Sequence, residues 1–231
     1  MHKRFHGLAV LATVASLGLA GAASAAVYTD ATGENFDGNP HMDISSVEIT
    51  NTLTNITFKI NLNGSIANPT DWGKYLVGID TNSATGDTGN PVGNPWGRNI
   101  RMSAGMDAFI GSWVDGGGGA QPWTFTSSWT QNGQVTPVLG TNSTTITVPL
   151  ASLGLTPGQT INFDVYSSGG NGGDSANDAL GLATQTINDW QVPYDSGSNV
   201  RSYTVAVPEP TTLGLAGIAG LSLLMRRRRI A

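Results

Sequence analysis

Two loops rich in Asp, Asn and Gly carry the residues whose types and spacing best suit metal chemistry. In chain order their oxygen donors are Asp80, Asn82 and Asp87, then Asp174, Asn177 and Asp178. Closely spaced oxygen donors on a flexible backbone suit a hard cation with six to eight ligands, so the sequence predicts calcium as a cofactor. The alternative for both loops is ordinary turn chemistry, in which Asp and Asn bond their own backbone.

Tryptophan supplies the second set of candidate residues. Aromatic residues make up 7% of the chain, yet it has six tryptophans: Trp72, Trp96, Trp113, Trp123, Trp129 and Trp190. Trp72, Trp96 and Trp190 stand in polar contexts, where an exposed indole can stack on a sugar ring while Asp and Asn bind its hydroxyls. We predict carbohydrate binding by these three, with core packing as the alternative for each. The other three are predicted to lie mainly in the core or at its edge.

Catalytic groups are scarce. The chain has no cysteine, and His41 is the lone histidine outside the first 25 residues, which excludes thiol nucleophiles and a site with two imidazole ligands. A carboxylate pair is the remaining enzymatic route, but no spacing singles out a partner for Glu34 or Glu48. The sequence therefore predicts no catalytic residue and a protein that is not an enzyme.

The charge of the chain argues against nucleic acid as a partner. Residues 26–207 hold five basic and fifteen acidic residues, a net charge of −10. Nucleic-acid-binding domains instead carry a basic patch or stripe.

Alternation of apolar and polar residues predicts an all-β fold. Residues 47–50 and 56–62 alternate around an Asn/Thr-rich turn and predict a hairpin with one buried face and one wet face. Further strands are predicted at 74–79, 96–102, 108–114, 123–129, 144–148, 161–166 and 200–205, with a single helical turn at 150–155. This pattern predicts a single β-sandwich (jelly-roll-like) domain over residues 26–206.

The two ends of the chain have the composition of targeting segments. Residues 1–25 contain Lys3 and Arg4, then an apolar run, then Ala23-Ser24-Ala25, which is the layout of a secretory signal peptide. At the C-terminus, Pro208-Glu209-Pro210 is followed by the apolar residues 211–225 and by Arg226, Arg227, Arg228 and Arg229. The apolar run predicts a short transmembrane-like helix with the arginines on the cytoplasmic side.

This tail, residues 207–231, resembles the PEP-CTERM sorting signal of exopolysaccharide-producing Gram-negative bacteria. The resemblance implies export through the inner membrane, with residues 211–225 in that membrane transiently. It also implies recognition by an exosortase-type membrane protease and a destination at the envelope surface or in the extracellular matrix. The alternative is a plain single-span anchor, for which the run is short.

The body resembles the β-sandwich modules at the C-terminus of glucodextranase and in family 9 carbohydrate-binding modules. Residues 74–80, 107–115, 148–154 and 161–166 carry the resemblance, which implies a fold but identifies no binding residues. We therefore expect a non-catalytic protein that associates with exopolysaccharide. The alternatives are a glycosidase that uses an Asp/Glu pair and a purely structural or adhesive matrix protein.

Overall fold

A computed structural model describes residues 25–66, 72–81, 93–182 and 187–207. The signal peptide up to residue 24, the sorting tail from Pro208 onward and the predicted ligands Asn82 and Asp87 lie outside the described residues. The limits predicted for the signal peptide, the domain and the tail therefore stay predictions. Within the described ranges no helix is both long and apolar enough to cross a membrane.

Strands dominate the part of the chain that the structure describes. They are β1 (Ala26–Thr29), β2 (Ile44–Asn51), β3 (Asn55–Leu62), β4 (Lys74–Asp80), β5 (Ile100–Arg101), β6 (Ala108–Trp113), β7 (Gly119–Phe125), β8 (Trp129–Gln131), β9 (Val138–Leu139), β10 (Ser143–Pro149), β11 (Thr160–Ser168), β12 (Ala176–Ala179), β13 (Tyr194–Asp195) and β14 (Arg201–Thr204). Short 3₁₀ turns cover Pro40–Met42, Asp115–Gly117 and Leu150–Leu153.

Two antiparallel sheets pack face to face. The five-stranded sheet has the order β1-β2-β3-β10-β9, and the seven-stranded sheet has the order β12-β11-β4-β6-β7-β8, with β14 also paired to β11. A separate parallel pair joins β13 to β5. The predicted hairpin is present, because β2 and β3 pair with Val47 opposite Ile60. The prediction of an all-β sandwich is confirmed.

The sandwich core lies between the two sheets. Alternate residues of β3, such as Ile56, Phe58 and Ile60, meet residues such as Ile79 and Phe163 from the seven-stranded sheet, and all five are fully buried. The intervening residues of β2 and β3 are partly exposed, so the outer face of the five-stranded sheet is open to water, as the alternation predicts.

A second core covers the outer face of the seven-stranded sheet. Leu76, Phe109 and Tyr166 point outward from its strands and are fully buried. Apolar residues of two segments pack against them, as Met106 and Tyr194 do. The first segment is 93–107, and the second is the described part of 180–200, which leaves out 183–186. We call these two the covering segments. The sequence does not predict this second core, because the pattern in the first covering segment predicts only a strand at 96–102 and not a layer that covers a sheet.

Two predicted strands differ from the observed ones. Within 96–102 only Ile100 and Arg101 form a strand, and Trp96 and Met102 pack onto the outer face of the seven-stranded sheet. Within 123–129 the chain turns, and Phe125 pairs with Trp129 across the hairpin of β7 and β8. Apolar residues two apart on one strand alternate with polar ones. Residues that face each other across a tight hairpin give the same alternation, so the pattern does not distinguish one strand from a hairpin.

Candidate functional site

A surface cleft brings together two of the three tryptophans predicted to bind carbohydrate. It has a volume of about 320 Å³ and is lined by Trp72, Gly170, Asn171, Asp174 and Trp190. The two indole rings meet edge to face, with centroids 5.8 Å apart and planes at 67°. Trp72 is 39% exposed, so its ring is accessible to a ligand although Trp190 supports it.

The indoles of the cleft continue into a row of aromatic rings. Phe36 meets the ring of Trp190 at 4.6 Å, and the His41 ring meets that of Trp72 at 6.0 Å, both edge to face. Edge-to-face contacts of this kind stabilise the pair beyond the area that they bury. The segment that carries Phe36 and His41 therefore supports both indoles.

A buried ion pair forms the polar wall of the cleft. The Arg98 Nη1 atom lies 3.7 Å from the Asp174 Oδ2 atom, and the two side chains are 6% and 5% exposed. Arg98 also donates to the backbone carbonyl of Asn171, while the Asn171 N–H donates to Asp174 Oδ2 at 2.8 Å. Burial lowers the pKa of Arg98, and the charge of Asp174 opposes that shift. These contacts hold the Gly-rich loop of residues 169–173 in place and leave residue Asn171 exposed.

Gly169 is required by the close packing of this wall. A Cβ atom at Gly169 would collide with the Asp174 carboxylate and lie 3.1 Å from the Trp190 ring. On the other side, the Lys74 ammonium donates to the Trp72 carbonyl at 2.7 Å and to Asp115 at 2.9 Å. Both rims of the cleft are therefore anchored by specific contacts.

Trp96, the third tryptophan predicted to bind sugar, does not line this cleft. It packs over Gly111, where a Cβ atom would collide with the indole, and contacts Phe109 and Trp113 at 6.1 Å each. Its N–H donates to Gln121 at 3.2 Å. Trp96 belongs to the second core, as do the partly buried Trp123 and Trp129.

Three carboxylates meet at the edge of the seven-stranded sheet. Asp30, Glu34 and Asp178 each place an oxygen within 4.8 Å of the other two. Asp178 is fully buried in β12, and its oxygens accept the N–H groups of Ile44 and Ala179 at 2.6 and 2.7 Å. The Asp30 Oδ2 atom and both Glu34 carboxylate oxygens are buried without a hydrogen-bond partner among the described residues.

Asp43 lies near Glu34 and Asp178, because its charge raises the pKa of both carboxyl groups, and we call the four residues the acidic cluster. It is 1% exposed, and its Oδ2 accepts the Gly33 N–H at 2.8 Å and the Asn63 amide at 3.0 Å. Its Oδ1 is buried and has no hydrogen-bond partner within the described ranges. Burial and the crowding of like charges raise the pKa of Asp30 to about 8 and that of Asp178 to about 7. Burial raises the pKa of Glu34, and the charge of Asp43 raises it further.

The three oxygen donors of the second predicted calcium loop contact separate partners. Asp174 faces Arg98 in the cleft wall. Asn177 exchanges hydrogen bonds with Asp37, at 3.0 and 3.2 Å, whereas Asp178 joins the acidic cluster. Neighbouring side chains along a strand point to opposite faces, so Asn177 and Asp178 reach different partners.

In the first predicted calcium loop, only Asp80 lies within the described residues. It is 5% exposed at the end of β4, and its Oδ2 lies 3.4 Å from the Asn162 amide nitrogen. Asn82 and Asp87 lie outside the described residues.

Comparison with known proteins identifies the tail of the chain. Residues 206–229 match the family model of the PEP-CTERM protein-sorting motif. No curated protein matches the chain, so the resemblance of the body to carbohydrate-binding modules stays a prediction.

Proposed function

Because the chain carries a PEP-CTERM sorting motif, which marks an exported protein that an exosortase sorts to the cell envelope, we propose that it binds polysaccharide there. The binding site is the cleft between Trp72 and Trp190. The observation that carries the proposal is that folding joins these two indoles with Asn171 and Asp174 around one cleft.

The cleft offers the contacts that a sugar ring requires. The exposed face of Trp72 provides an apolar platform for the C–H groups of the ring, and the Asn171 amide can both donate to and accept from hydroxyl groups. Because Arg98 and Asp174 neutralise each other, the wall suits a neutral or weakly charged glycan. The Asp174 carboxylate is also held by the Asn171 N–H, so it is positioned before a ligand arrives.

We propose association without catalysis. Hydrolysis of a glycosidic bond uses two carboxyl groups on either side of the sugar. Among the described residues, the lining of the cleft includes one carboxylate, that of Asp174, which pairs with Arg98.

The test is retention of the purified full-length chain by a panel of polysaccharides, including the exopolysaccharide of the producing cell. We expect Trp72→Ala to lower affinity about fivefold to 150-fold, because stacking on one aromatic side chain is worth about 1–3 kcal/mol where it has been measured, for nucleic-acid bases. Trp129→Ala is the matched control, since Trp129 is also partly buried but lies outside the cleft lining.

Two results would contradict the proposal. One is equal retention of the Trp72→Ala variant and the unsubstituted protein. The other is a failure of every polysaccharide to retain the unsubstituted protein, which would favour a structural or adhesive matrix protein.

A further inference from the structure

We propose that the acidic cluster of Asp30, Glu34, Asp43 and Asp178 binds a calcium ion that ties the N-terminal segment to strand β12. This inference is independent of carbohydrate binding. It concerns a site other than the two Asp/Asn loops, which stay predictions, and shares only Asp178 with the second of them.

The strongest observation is the buried carboxylate of Asp43, which is 1% exposed. One of its oxygens is held by Gly33 and Asn63, so the other, Oδ1, is fixed in a buried position without a partner among the described residues. The neighbouring Ile44 N–H binds Asp178, and Gly33 precedes Glu34. The Asp43 carboxylate therefore lies close to those of Glu34 and Asp178 and keeps one buried oxygen unpaired within the described residues.

A buried carboxyl oxygen without a partner is strongly unfavourable in proteins. The cluster contains four such oxygens: Asp30 Oδ2, Glu34 Oε1, Glu34 Oε2 and Asp43 Oδ1. A divalent cation among these groups would neutralise charge and supply each oxygen with a ligand bond.

The donor set favours calcium over softer metals. All four side chains are carboxylates, and hard cations prefer oxygen ligands, whereas zinc and copper favour histidine or cysteine. Carboxylates from separate segments can bind in monodentate or bidentate fashion, which suits the large, flexible coordination sphere of calcium better than the strict octahedron of magnesium.

The experiment is a thermal unfolding scan and a calcium titration of the full-length chain. At calcium concentrations about a hundred times the Kd, we expect the Tm to rise by about 5–10 °C relative to chelator. Titration should show binding in the range of extracellular modules, with a Kd of about 1 mM or tighter, and magnesium should produce a smaller shift.

Glu34→Gln tests the location, because Glu34 is partly exposed and its replacement should still fold. We expect this variant to bind calcium at least about tenfold more weakly. Glu48→Gln, the matched control, removes the same charge from the open face of the five-stranded sheet and should bind like the unsubstituted protein. The proposal is wrong if calcium leaves the Tm unchanged, if magnesium stabilises more than calcium, or if Glu34→Gln binds as tightly as Glu48→Gln.

Discussion

The outer faces of the two sheets differ in what covers them. On the five-stranded sheet the outer face carries polar pairs in water, such as the hydroxyls of Thr57 and Thr147 at 2.9 Å and the Lys59–Glu48 ion pair at 3.6 Å. On the seven-stranded sheet the covering segments bury the outer face and build the second core. Asp174 and Trp190 of the cleft belong to this covered side, so carbohydrate binding is expected there.

Glycine makes this covering possible on two central strands. A Cβ atom at Gly78 would lie 3.1 Å from Met102 and Met106, and one at Gly111 would collide with Trp96. Both glycines therefore let side chains of a covering segment approach the sheet backbone. The outer face of the seven-stranded sheet therefore has room for the side chains that cover it, in contrast to the Thr-rich outer face of the other sheet.

The largest expected effect comes from a substitution that leaves a cavity in the second core. Phe109 is fully buried there, as Phe58 is in the sandwich core. If the covering is a true core, Phe109→Ala should lower the free energy of unfolding by about 3–5 kcal/mol, as large as the effect of Phe58→Ala. Urea unfolding measures both. A loss below about 1 kcal/mol for Phe109→Ala alone would show that the covering segments are only loosely attached.

A buried carboxyl group on the covered face makes the stability of the protein depend on pH. Asp164 is fully buried there, and burial raises its pKa from 3.8 to about 6, although Ser196 and the Val165 and Gly181 N–H groups bind it. The folded state therefore binds this proton more tightly than the unfolded state, and stability contributed by protonated Asp164 is lost as pH rises from about 4 to about 6. The loss is at most about 3 kcal/mol.

Urea unfolding at several pH values in chelator checks this slope. Asp164→Asn cannot ionise, so its stability should vary less over that pH range, whatever its absolute stability. Equal changes in the free energy of unfolding of the two proteins between pH 4 and pH 6 would contradict the assignment.

A smaller effect links the acidic cluster to the cleft. Phe36 and His41 lie between Glu34 and Asp43 in the chain and contact the two cleft indoles. Chelation should loosen this segment and weaken polysaccharide retention roughly fivefold to tenfold, the low end of a typical coupling between two sites. Glu34→Gln should retain polysaccharide weakly with or without chelator. Retention that is unchanged by chelator while the Tm falls would show that the two sites are independent.

The smallest effect is expected on the outer face of the five-stranded sheet, the open face. Thr57→Ala removes one exposed hydroxyl pair and should change the free energy of unfolding by less than about 0.5 kcal/mol. Polysaccharide retention should not change. A loss above about 1 kcal/mol, or weaker retention, would mean that the open face has a role comparable to that of the covered face.

Sequence patterns predict the sheets better than the sites. Strand β3 alternates cleanly because one side is wet and one side is buried, and this local rule is readable in the sequence. The acidic cluster joins Asp178 to residues near the N-terminus, and no local pattern encodes that pairing. Trp72 and Trp96 stand in similar polar contexts, yet one lines the cleft and the other packs on Gly111, because tertiary packing decides which indole stays accessible.

The most direct test of the central claim uses the six indole N–H signals in an NMR titration. The full-length chain, labelled with ¹⁵N, is titrated with an oligosaccharide from a polysaccharide that retains it, and single Trp→Phe variants assign the signals. The account predicts that the Trp72 and Trp190 signals shift with the ligand while those of Trp113, Trp123 and Trp129 stay in place. Shifts confined to the latter three, or unmoved Trp72 and Trp190 signals at saturation, would contradict it.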